Sequence, residues 1–168
     1  ATNSVGGGGA VDILGDRVVL FDQATIDVSG VGAGGTALIG GNFQGKGPEQ
    51  NANMTYVGKD VKINADAVGA GDGGKVIVWA DGTTRFYGGI SARGGNEGGN
   101  GGFVEVSGKG ILAFGGTADR SAPRGSAGTL LLDPTDLTIS ATGPDTTEFD
   151  ATNCLTAACK PLAYRAAT

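Results

Sequence analysis

Short apolar runs set off by glycine recur along the whole chain, and within them side chains alternate between apolar and polar. The alternation is plain in Thr25–Val28 and Phe103–Ser107, and a period of two marks a β-strand with one buried face. Five runs follow directly on a glycine: Ala10-Val11-Asp12-Ile13-Leu14, Thr36-Ala37-Leu38-Ile39, Lys75-Val76-Ile77-Val78-Trp79, Phe103-Val104-Glu105-Val106-Ser107 and Thr129-Leu130-Leu131-Leu132-Asp133. Those glycines, Gly9, Gly35, Gly74, Gly102 and Gly128, lie 26, 39, 28 and 26 residues apart. The long interval is one ordinary repeat plus the polar segment Gly41 to Asn53. That segment reads as a loop inserted outside the strands, so shortening it is expected to leave the β-structure intact.

Each repeat holds two further runs. The second is Val18–Phe21, Met54–Val57, Thr84–Tyr87 and Ile111–Phe114; the third is Thr25–Val28, Val61–Asn64, Gly89–Ala92 and, most weakly, Thr117–Asp119, with Ile26, Ile63, Ile90 and Thr117 in one register. No window shows a helical period with cap signals. Three short strands per repeat predict an all-β fold, a parallel β-helix of about five coils. Residues 1–140 form the helix, with 41–53 inserted, and 141–168 form a C-terminal cap or tail. Each strand pairs with its equivalent one coil away, about 4.8 Å distant. Gly, Asn and Asp take corners expected to need positive φ. A sandwich would instead show hairpin turns without this long-range period.

Composition narrows the function. Glycine supplies 34 of 168 residues and proline only 5, which excludes collagen and proline-rich linkers. With 39% hydrophobic and 17% charged residues, the chain can bury a core. The net charge of −5 argues against binding nucleic acid or an anionic membrane. No apolar run approaches the length of a membrane helix, and no secretory signal is present. There is no histidine, which removes every catalytic triad or zinc site built on imidazole.

The phrases Gly74–Asp81 (GKVIVWAD), Gly89–Gly95 (GISARGG), Gly101–Gly108 (GGFVEVSG) and Gly128–Ile139 (GTLLLDPTDLTI) resemble the filamentous-haemagglutinin family. Within it they are similar to the exoproteins of bacterial two-partner secretion, including the high-molecular-weight adhesins. The resemblance is good over Gly58 to Ser140, looser before it, and fades after Asp145. It implies a right-handed β-helix and export through an outer-membrane two-partner-secretion transporter. It also implies adhesive or structural work at the bacterial cell surface, with host cells, glycans or further copies of the chain as contacts. The Asn-Pro-Asn signatures of that family's secretion domain do not occur here, so the sequence is expected to be a fragment of a longer exoprotein or a processed product. The family shares no catalytic residues, and no cofactor is implied. The reading is a non-enzymatic extracellular adhesin or structural fibre. A filament subunit stacking end to end and a carbohydrate-active β-helix enzyme are the alternatives.

Candidate chemistry is sparse. Cys154 and Cys159 are the only cysteines, and an extracellular setting favours a small disulfide loop between them. The alternative implied by the resemblance is a terminal anchor, because some of those adhesins end in such a loop. Calcium is not expected: Gly98–Phe103 lacks the repeat aspartate and Gly69–Gly74, with Asp72, has the wrong order. The carboxylate pairs Asp12/Asp16, Asp22/Asp27 and Asp133/Asp136 fall on different coils and corners, where solvation explains them better than glycan cleavage. Gly94–Gly99 lacks the lysine and helix of a phosphate loop. Trp79, Phe86, Tyr87, Phe103 and Phe114 recur in successive strands, which assigns most of them to core ladders and leaves Tyr87 as a candidate exposed ring.

Overall fold

The structure, a computed structural model, describes residues 6–133. The proposed cap or tail, Cys154, Cys159 and Asp136 lie outside the described residues. Strands follow one another in threes. The first coil has β1 (Ala10–Ile13), β2 (Arg17–Leu20) and β3 (Thr25–Asp27); the second has β4 (Thr36–Ile39), β5 (Met54–Val57) and β6 (Lys62–Asn64). The third has β7 (Lys75–Ala80), β8 (Thr83–Phe86) and β9 (Gly89–Ser91); the fourth has β10 (Phe103–Gly108), β11 (Ile111–Phe114) and β12 (Thr117–Asp119). β13 (Thr129–Leu131) opens a fifth coil. All pairing between them is parallel and joins equivalent strands of adjacent coils. Sheet A runs β1-β4-β7-β10-β13, sheet B β2-β5-β8-β11 and sheet C β3-β6-β9-β12. The described residues therefore form an all-β parallel solenoid of four coils plus the first strand of another.

The core is a set of side-chain ladders. Val11, Ala37, Val76, Val104 and Leu130 form one inward column of sheet A, in register across β1, β4, β7, β10 and β13. Leu20, Val57, Phe86 and Phe114 form another in sheet B. The rings of Phe86 and Phe114 stack with centroids 5.5 Å apart and planes 9° from parallel. Each column removes apolar surface from water along the full height of the stack, which is the main favourable contribution to the fold.

Three registers differ from the sequence pattern. Arg17 rather than Val18 pairs with Met54, and Thr83 rather than Thr84 follows it. In sheet C, Ile26, Ile63 and Ile90 stack on Ala118, not Thr117. A slip of one residue exchanges the faces, so Thr55 and Thr84 point inward and are fully buried. Their hydroxyls are satisfied by backbone carbonyls of the next coil: Thr55 Oγ1 donates to the Trp79 carbonyl at 2.6 Å and Thr84 Oγ1 to that of Ser107 at 2.7 Å. A buried threonine with its hydroxyl paired costs little, and nothing in the local pattern distinguishes it from an outward one.

The paired glycines need a different explanation from positive φ. None of Gly8, Gly35, Gly74, Gly102 and Gly128 lies in the left-handed region. What they require is the absence of a Cβ. On Gly35, Gly74, Gly102 and Gly128 that atom would fall 1.9–2.1 Å from the carbonyl oxygen of the equivalent glycine one coil back. The N–H of the same glycines closes each coil onto the end of its third strand: Gly74 donates to Ala65 at 2.7 Å, Gly102 to Ala92 and Gly128 to Arg120 at 2.8 Å. Backbone meets backbone at this corner, and only glycine fits.

Candidate functional site

Sheet A carries an unusual outer face. In a solvated sheet the outward positions should be polar, yet Leu38, Ile77, Trp79 and Phe103 form a second apolar cluster there. One outward column reads Asp12, Leu38, Ile77, Glu105, Leu131 through the registers of β1, β4, β7, β10 and β13. The segment between β4 and β5 covers this face. Its base is pinned where the Ala52 N–H donates to the Gly40 carbonyl at 2.6 Å. Its tip is a 3-10 turn, Phe43–Gly45, capped by Asn42, whose side-chain oxygen accepts the Phe43 N–H at 2.7 Å.

Each contact of the turn has a sequence reason. Gly45 sits at φ 63° against the Trp79 ring, and a Cβ there would be 2.5 Å from the indole. Gln44 adopts φ 54° and ψ 28°, which aims its N–H at the Glu105 carboxylate, 3.2 and 3.1 Å from the two oxygens. Phe43 meets Phe103 edge to face at 5.6 Å, and Lys75 Nζ lies 5.7 Å from the Phe43 centroid, a favourable placement of cation over ring. Asn51 Nδ2 donates to the Gly45 carbonyl at 2.8 Å and to Asp81 Oδ1 at 3.2 Å, and Trp79 Nε1 donates to the same Asp81 oxygen at 3.0 Å. Beside the turn a groove of about 600 Å³ is edged by Gln44, Lys46, Asn51, Asp81, Lys109 and Asp133.

The electrostatics single out Glu105. It is fully buried. Burial pushes its carboxyl above the ordinary range, against the Gln44 N–H, the Ser107 hydroxyl and Lys75; Asp133 pushes the same way as burial. Glu49 moves down, held by the Asn42 amide. Elsewhere, Asp27 and Asp119 are lowered because the N–H of Ser29 and of Ser121 donates to each carboxylate at 2.9 Å.

Those bonds show what the corner aspartates do. Asp27 and Asp119 close turns on their own coils. Asp72 accepts the Asn100 N–H at 2.7 Å, and Asn100 in turn accepts the Ser126 N–H at 2.9 Å, a polar ladder running up one corner. Among the described residues no three acidic or thiol side chains gather as a metal site. Asp12, Asp16 and Asp22 are not brought into a cluster, and Asp133 edges the groove beside Trp79.

The aromatic assignment is corrected in part. Phe86 and Phe114 are core residues, but Trp79 and Phe103 face outward under the turn. Tyr87 packs edge to face on Tyr56 at 5.8 Å. Trp79 is only 5% exposed, so its ring offers no open face to a sugar. Sequence reasoning also missed Gln44 and Glu105. The available signal was a glutamate flanked by Ile77 and Leu131 in the outward column.

The inserted segment is thus a cover and not a free loop. Replacing residues 42–51 by a short link is expected to keep the β-sheet circular dichroism, since the inner ladders are untouched. It should also lower the melting temperature and shift the tryptophan emission to the red as Ile77 and Trp79 meet water.

No family model matches the chain, nor does any curated protein. Among solved structures it is similar to the crystal structure of the HMW1 secretion domain from Haemophilus influenzae, with a TM-score of 0.61 and 33% identity, over 79% of this chain and 34% of that one. The chain thus spans about a third of the length of that structure.

Proposed function

We propose that this chain is a solenoid segment of a bacterial two-partner-secretion exoprotein, exported through an outer-membrane transporter and serving outside the cell as a non-enzymatic, adhesin-like fibre. The similarity to the HMW1 secretion domain carries this reading, since it couples the same fold with 33% identity over most of the chain. The sequence phrases of the filamentous-haemagglutinin type point the same way. Stacked coils give a stiff rod whose exposed outer positions are free to vary while its ladders are not, and such a rod suits the display of a surface at a distance from the membrane. The groove beside Trp79 has charged and amide groups on its rim, while the acids at the corners are engaged in turns.

Display of the chain on an inert bacterial surface, scored on epithelial monolayers and immobilised glycans, tests the reading. Retention above that of undisplayed controls is expected, together with no release of reducing sugar from polysaccharides and a monomer by sedimentation. Sugar release would replace it with the carbohydrate-active enzyme, reversible mass growth with concentration would favour the stacking filament, and no retention on any surface would overturn adhesion.

A further inference from the structure

The cover on sheet A is fastened by packing and by hydrogen bonds, among them Asn51 Nδ2 to Asp81 Oδ1 at 3.2 Å. Gly45 on Trp79 and Phe43 on Phe103 are packing contacts, indifferent to pH. The Gln44 N–H, in contrast, ends on a carboxyl group shut away from water between apolar neighbours, since Ile77 and Leu131 flank Glu105 on β7 and β13. We propose that Glu105 makes the 42–51 segment a pH-sensitive strap, held shut over Trp79 while the Glu105 carboxyl carries its proton and loosened as that proton leaves.

The physical argument is one of hydration. A protonated carboxyl still offers an oxygen to the Gln44 N–H and carries no charge to desolvate. An ionised one, held by one strap N–H shared between its two oxygens and by the Ser107 hydroxyl, is not fully compensated for its burial and gains by meeting water. Water reaches it only if the strap lifts. Ionisable groups face the site from each element. Lys75 on β7 favours the carboxylate and Asp133, just past β13, opposes it. On the strap itself, Lys46 is engaged with the Gln44 side chain at 2.9 Å and Glu49 with Asn42 at 2.9 Å. Burial outweighs the favourable partners and the net direction is upward from the ordinary 4.5. The sign follows: closure is fully supported below the ordinary glutamate value, and that support is lost as pH rises through the higher value of the closed form. This device is independent of the adhesin reading.

Trp79 is the only tryptophan of the chain, and the strap lies on its ring, so acrylamide quenching of the full chain reads strap opening directly. As pH rises above the ordinary glutamate value the quenching constant should rise, with the opening equilibrium changing by up to about tenfold per pH unit. Glu105→Gln, neutral and nearly isosteric, should flatten the profile at the low-pH level while keeping the β-sheet dichroism. Lys75→Met should move the midpoint up and Asp133→Asn should move it down. A direct carbon-13 titration of Glu105 in the unaltered protein gives the same midpoint without any substitution. A flat wild-type profile, a rise toward acid, or an unchanged profile in Glu105→Gln would each overturn the proposal.

Discussion

Gly102→Ala is expected to abolish cooperative folding, while Gly89→Ala leaves the melting temperature nearly unchanged. Both replacements add a single methyl group, and neither glycine needs left-handed backbone. At Gly102 the new Cβ would lie 2.1 Å from the Gly74 carbonyl oxygen and 2.7 Å from the Gly73 carbonyl carbon. These are backbone atoms held in the ladder, where the Phe103 N–H donates to that same Gly74 oxygen at 2.9 Å. Relief would require separating two coils, which breaks pairing in sheet A and opens the core beneath it. We expect a loss above about 4 kcal/mol. At Gly89 the nearest atom is Thr117 Oγ1 at 3.6 Å, an ordinary contact, and the change should stay within about 0.5 kcal/mol. Thermal melts followed by circular dichroism compare the two, and equal melting temperatures would refute the close-approach account of the glycine pairs.

Ile90→Asp is the second large effect. Ile90 is buried in sheet C between Ile63 and Ala118, and an aspartate there has no donor to meet it, at a cost of several kcal/mol. Its neighbour faces the other way, so Ser91→Ala should be mild. Ser91→Asp is a separate case: the Ser91 hydroxyl donates to Asp66 Oδ1 at 2.6 Å, and a carboxylate in its place would exchange that bond for repulsion. Denaturant midpoints should therefore fall in the order Ser91→Ala, Ser91→Asp, Ile90→Asp. A midpoint for Ile90→Asp at or above that of Ser91→Ala would show the register of sheet C to be wrong.

The solenoid was legible because its signal is periodic. Gly35, Gly74, Gly102 and Gly128 each mark the same corner, and the inserted segment shows up as a break in their spacing. Where a single residue had to be assigned a face, the reading held for Ile26, Ile63 and Ile90 but failed at Thr117 and Ala118. Threonine and alanine are both compatible with either side of a strand, and tertiary packing decides. The covering role of the inserted segment was not legible for a related reason. Its contacts join residues far apart in sequence, Gln44 with Glu105 across 61 positions, and no local pattern reports them. Trp79 looked like a core residue because it is large and recurs at the end of a strand run. Its burial comes from Gly45 lying on it, and a glycine gives no hydropathy signal of its own.

The glycine corner also bears on how such a chain could have grown. Since every coil presents the same backbone surface above and below, a stretch copied from one glycine pair to the next brings its own seat for the coil after it. A copied stretch one whole coil long preserves pairing on both sides, whereas a change of any other length inside a strand displaces the ladders that follow. The strap, entering at the turn between β4 and β5 away from the glycine corner, shows where new sequence can be added to a coil that is otherwise closed to change.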